Sequence, residues 1–115
     1  MSEFGPALFI KRKDTKEIKK EEQERLLKEV SNISKELNLK DPDGEDVAPE
    51  FYDYNEYEDD SVSFLFFSSF EWGMMPPEIQ EEEEKENRKE ILQIGNHLDN
   101  SHPDTYEYQC YYVEN

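Results

Sequence analysis

The sequence predicts an α+β fold in which a four-stranded antiparallel sheet carries two helices on one face. Three observations predict it. Short runs rich in rings and β-branched residues, bounded by Pro, Gly and acids, have the character of strands. Two longer stretches, about 16–37 and 78–94, space their apolar residues at helical intervals. The order is strand, helix, strand, strand, helix, strand, which is the split βαβ or ferredoxin-like arrangement. In that arrangement the first and third strands are central.

Each element has its own signal. Ala7 to Lys13 begins apolar and ends basic, as a short strand. Asp14 with Glu17 three positions on is close to a capping box and predicts a helix from about Lys16 to Leu37. Its face is Ile18, Leu26, Val30, Ile33 and Leu37, widened by Leu27 and Leu39. Lys40 to Asp46 is a loop punctuated by Pro42 and Gly44. Phe51 to Tyr57 reads as the second strand, at an edge, where acids discourage aggregation. Ser61 to Phe70 is the third. Val62, Phe64 and Phe66 alternate with Leu65 and Phe67, so both faces are apolar and the strand is central. Trp72 to Pro77 is expected as a loop, Pro77 and the acids after it as the first turn of a second helix, and Gly95 as that helix's end. Ile79, Ile91, Ile94 and Leu98 mark its buried face. A polar loop, 96–103, leads to a last strand, Tyr106 to Val113, with Tyr106, Tyr108, Cys110 and Tyr112 on one face.

The 115 residues are expected to form one domain, 1–115. A net charge of −17 with 34% hydrophobic residues is the usual signature of disorder, but 13% aromatic residues argue for a folded chain whose exterior is charged. The single cysteine excludes an internal disulfide framework. No stretch has the pattern of a secretory signal, and the longest apolar-rich run, 62–70, is too short to span a bilayer. The expected location is therefore cytoplasmic.

Charge is the most informative feature. Residues 1–40 carry ten Lys and Arg against eight Asp and Glu; residues 41–115 carry three against twenty-two. Such a field repels nucleic acid and anionic membranes and attracts basic proteins. The stretch EFYDYNEYEDD, 50–60, sets rings among acids without a cation. Tyrosine offers rigid contact area, and carboxylates meet Lys and Arg on a partner. The candidate partner-binding residues are Tyr52, Asp53, Tyr54, Glu56, Tyr57, Glu58, Asp59 and Asp60, with Trp72, Glu81 and Glu82. An edge strand with rings on the core and acids in water accounts for the same stretch. The 58–60 turn and the start of the second helix are expected at opposite ends of the third strand.

No metal or cofactor is expected. The run 41–46 resembles a calcium loop, but aligning Gly44 puts Leu39 where the first aspartate belongs. His97, His102 and Cys110 do not make a zinc set, and Cys110 reads as a core residue. The basic cluster at 11–20 does not mark a nucleic-acid binder in so acidic a chain. No catalytic motif is present. The expectation is a non-enzymatic protein that masks a basic partner, as an immunity-type inhibitor of a nuclease toxin or a nucleic-acid mimic does. The alternative is a homodimer or larger homo-oligomer of structural or regulatory role, joined through Phe51, Trp72 and the Tyr106–Tyr112 face, with the acids serving solubility. An enzyme using paired carboxylates and a divalent metal ranks last.

Overall fold

The sheet is built around β1 (Phe4–Arg12). In the computed structural model, which describes residues 2–52 and 60–115, β4 (Tyr106–Glu114) runs antiparallel to β1 along its whole length, from Phe4↔Glu114 to Arg12↔Tyr106. The other edge of β1 pairs with β3 (Val62–Leu65), from Ala7↔Leu65 to Ile10↔Val62. β2 (Glu50–Phe51) pairs with the outer edge of β3. The strand order is β2-β3-β1-β4, antiparallel throughout. Among the described residues three helices connect the strands: α1 (Lys20–Glu36), α2 (Glu71–Met74) and α3 (Pro77–Ser101). Of the second strand expected over 51–57, Phe51 lies in β2, and residues from 53 lie outside the described residues.

Alternation along the strands sorts their side chains into two layers. Leu8, Ile10, Val62, Phe64, Tyr106 and Cys110 point to one side, where they share a core with Leu26 and Val30 of α1 and Ile91, Ile94 and Leu98 of α3. Both long helices therefore lie on the same face. A smaller cluster on the other face joins Ala7, Leu65 and Val113, with Phe9 and Tyr52 packed against it.

α1 starts four residues later than the capping signal suggests. Asp14 uses its carboxylate locally: it accepts from the Lys16 N–H at 3.0 Å and pairs with Arg12. Thr15 turns the chain with φ 65°, and Ile18 is buried in the lead-in before Lys19 takes the N-cap position. At the other end, Asn38 adopts φ 54° and donates to the Lys35 carbonyl while Leu39 N–H reaches Ser34 O at 3.1 Å. These are the paired bonds of a Schellman cap, and Leu39 is buried beside them.

β3 ends at Leu65, short of the run to Phe70 that alternation predicts. The chain nevertheless stays beside β1, with a further bridge at Phe4↔Ser69. Between Ala7↔Leu65 and Phe4↔Ser69, three steps on β1 match four on its partner, so one residue is extra. The bulge breaks the alternation, and Phe67 packs on the helix-side core instead of sharing the far face with Leu65. It also explains Pro6 in a central strand. The Pro6 carbonyl accepts from Phe66 N–H at 3.2 Å, so the edge on which proline lacks a donor is the bulged one.

Gly95 does not end α3, which runs six residues further and replaces the expected loop. Its role is close approach: a Cβ there would lie 2.9 Å from the Tyr108 ring. Gly5 is more constrained still, because a Cβ would overlap the backbone carbonyl of Phe67 at the bulge. Gly95→Ala is expected to lower unfolding free energy by about 1–3 kcal/mol through overpacking, read as a lower urea midpoint at unchanged slope. Gly5→Ala should lose more, since the obstacle is backbone and not the end of a flexible side chain. Parent-like midpoints for both would show that neither contact constrains the fold.

Candidate functional site

From residue 41 to residue 84 the chain has no Lys or Arg. Three pieces of that stretch meet at the end of the sheet where β1 begins. The first is the loop at 41–46. Asp41 folds it, accepting from the N–H groups of Asp43 and Glu45, both at 2.9 Å. The second is the bulged segment and the short helix α2. The third is the first half of α3.

Between the first two lies a cleft of about 220 Å³. Glu3, Asp41, Asp43 and Glu71 line it, together with the rings of Phe67 and Phe70, and none of the described lining residues is a cation. Its walls are fixed by backbone pairing. Phe4 and Ser69 exchange bonds of 3.0 and 2.9 Å, and Glu71 N–H donates to Ser69 Oγ at 3.1 Å.

α2 replaces part of the loop expected before the second helix. Trp72 holds it in place, its ring lying between Phe4 and Tyr112 with centroid separations of 5.1 and 5.0 Å. The Gln80 side-chain amide donates to the Trp72 carbonyl at 2.8 Å, which ties α2 to the first turns of α3. Further along α3, Asn87 hydrogen-bonds the Tyr112 hydroxyl. Among the described residues the buried indole N–H of Trp72 has no acceptor.

α3 is amphipathic in its second half only. Ile91, Ile94 and Leu98 are buried, whereas Glu78, Ile79, Glu81, Glu82 and Glu83 are exposed. Ile79 thus leaves the face on which spacing placed it. Pro77 at the helix start and Glu78 in its first turn suit the orphan N–H groups and the dipole there. Among the described residues, none of the glutamates from 78 to 86 forms an ion pair.

The structure separates the sequence-predicted contact residues. Trp72, Glu81 and Glu82 lie at the end described above. Tyr52 is on the opposite face of the sheet: its ring packs on the small cluster, and its hydroxyl donates to the Glu114 carbonyl at 2.8 Å. Asp60 is at the far end of β1, 3.7 Å from Lys11. Asp53, Tyr54, Glu56, Tyr57, Glu58 and Asp59 lie outside the described residues. Sequence reasoning did not single out Glu3, Phe4, Asp43, Phe70, Gln80 or Tyr112 as parts of one site. The available signal was the long stretch without Lys or Arg, not any motif.

Cys110 is buried, and burial pushes its thiol up to about 12, so thiolate is scarce at neutral pH. His102 hydrogen-bonds the Glu29 carboxylate at 2.9 Å. Among the described residues no three His, Cys, Asp or Glu side chains converge as metal ligands would. No described helix is long and apolar enough to cross a membrane.

Several buried groups titrate late. Burial, then the Glu22 carboxylate, raises Tyr106 to about 12. Burial raises Tyr112 to about 12 against the opposing bond from Asn87, and burial with Asp99 raises Tyr108. Unfolded, Cys loses its proton near pH 8.5 and Tyr near pH 10. The native state therefore binds more protons in this range, and stability must fall as pH rises from about 8.5 toward 12. Urea midpoints across that range are expected to decline, and Cys110 is expected to resist thiol reagents until the chain unfolds. A flat profile, or rapid native labelling, would contradict the burial of these groups.

No family model, curated protein or solved structure matches the chain.

Proposed function

We propose that this protein is a non-enzymatic binding protein that masks a cationic partner, working in the cytoplasm. The observation that carries the reading is the unpaired acid of one end of the molecule. Nothing basic occurs between residues 41 and 84, and the glutamates from 78 to 86 have no ion-pair partner among the described residues. Exposed carboxylates without counter-charges leave a negative potential that speeds encounter with a positive surface and penalises anionic ones.

The concrete form is an immunity-type inhibitor of a nuclease toxin, or a mimic of nucleic acid. A cleft that binds nucleic acid is lined with Lys and Arg, so its blocker needs the opposite field. The order β2-β3-β1-β4, with α1 and α3 on one face, supports assigning the scaffold to the ferredoxin-like arrangement, with α2 and the bulge as additions. That scaffold serves many functions and implies none.

The test is titration against purified basic nucleases and DNA-binding proteins, read by calorimetry at increasing salt. Affinity should fall steeply as ionic strength passes ~0.15 M, where the Debye length is about 8 Å. Binding unaffected by salt, or no binding to any cationic protein at low salt, overturns the reading.

A further inference from the structure

We infer that the docking surface for that partner is the end of the molecule formed by the acidic cleft, α2 and the first turns of α3, and that its occupant is a basic segment carrying a large apolar side chain. The inference rests on the functional reading above and goes beyond it by fixing the place and the chemistry of the contact.

Three large apolar side chains within ten residues face water here: Phe70 is 45% exposed, Met74 65% and Ile79 45%. A single exposed apolar residue needs no explanation. Here Phe70 caps α2 and Met74 follows four positions on, which sets the two on one side of a helical turn. Phe70 also lines the cleft, so apolar and acidic surface are continuous there.

The described charges of the cleft lining and of the first two turns of α3 have one sign. Glu3, Asp41, Asp43 and Glu71 face the cleft, and Glu78, Glu81 and Glu82 follow on α3. Complementarity selects a cationic occupant. The converging carboxylates needed for a metal ion are not found among the described residues, whereas a cleft of about 220 Å³ with a ring on its wall suits a guanidinium or ammonium on its stem. A second copy is a poor occupant, because each chain carries −17 and Arg12 and Lys13 of β1 are paired within their own molecule.

The surface is also preformed. The Phe4–Trp72–Tyr112 stack, the Gln80 bond to the Trp72 carbonyl and the Phe4–Ser69 pairing hold it before any partner arrives. Little ordering entropy then opposes binding.

The probe is a short Lys- and Arg-rich peptide with one Leu, alongside the same peptide with Ser for Leu, titrated into ¹⁵N-labelled protein at low salt. Amide shifts are expected at 41–43 and 68–82, and the Leu peptide should bind more tightly. Phe70→Ser with Met74→Ser should weaken the Leu peptide at least about fivefold and erase the difference between the two. Asp43→Asn with Glu71→Gln should weaken both. These side chains are exposed, so the variants keep the core, and parent-like thermal unfolding confirms it; Ile79→Ser is the substitute if either pair misfolds. Salt-sensitive binding with shifts elsewhere and no effect of these variants overturns this surface but leaves the functional reading standing. Binding of neither peptide nor any basic protein removes both. Shifts at 68–82 that grow with protein concentration alone overturn the basic segment in favour of a second copy.

Discussion

The constraint on which the structure depends is that β1 is covered on both faces and paired on both edges. Pro6, Ala7, Leu8 and Ile10 are all buried, and hydrogen bonding to β3 and β4 uses its backbone on either side. A strand so placed cannot carry charge while it is paired on both edges, and its cations, Lys11 to Lys13, come after its pairing with β3 ends at Ile10↔Val62. Around it the chain must still accommodate thirty acidic side chains. They can occupy only loops, helix surfaces and strand faces turned to water. The location of the acidic surface thus follows from the burial of one strand, since the positions left over are few.

α3 shows how this is tolerated. It runs from Pro77 to Ser101, yet its buried residues are Ile91, Ile94, Gly95 and Leu98. The first half lacks a core to hold it. Other interactions take over: the positive end of the helix dipole favours acids there, Gln80 fastens the first turns to α2, and Asn87 fastens the middle to β4. The result is an acidic helix held rigid by two polar ties and one aromatic stack. Phe70, Met74 and Ile79 remain in water beside it because the sheet offers them no further apolar surface.

Much of the fold was legible because it is local. The apolar-to-basic run in 7–13, the alternation in 106–113, the helical spacing of Leu26 and Val30, and Pro77 at a helix start all follow from neighbours in sequence. The readings that failed did so where a distant residue decided. Gly95 resembles a helix terminator, but it is small because the Tyr108 ring lies against it. Asp14 resembles a cap, but Arg12 claims its carboxylate. Phe67 sits in an alternating run, and the bulge opposite Gly5 and Pro6 reverses it. The candidate site was legible only in part for the same reason. Tyr52 and Asp60 are neighbours in an acidic stretch, yet one is committed to the far face of the sheet and the other to Lys11. The cleft joins Glu3, Asp41 and Glu71, which no window of sequence contains.

The chain also holds thirteen Lys and Arg, and whether they quench the acidic end is a question of geometry. Surface pairs contribute little stability, about 0–1 kcal/mol each, but each does cancel one charge locally. Arg12 serves Asp14 and Glu22, Lys13 serves Asp104, and Lys11 serves Asp60, all at the end of β1 away from the cleft. On the cleft's side of α1, Lys40 pairs with Asp46 and Lys35 acts on the same carboxylate. The described pairs therefore stop short of the cleft lining and of α3. The molecule measures 40 × 32 × 20 Å, and screening in physiological salt limits an exposed charge to about 8 Å. The cations at the far end of β1 cannot neutralise the cleft carboxylates across several such lengths; Lys40 engages Asp46, and Lys85, Arg88 and Lys89 of α3 form no ion pair among the described residues. The charge separation seen in the sequence thus persists between the two ends of β1 in the described ion pairs, and the end whose lining carboxylates stay unpaired is also the end with exposed apolar side chains and a cleft.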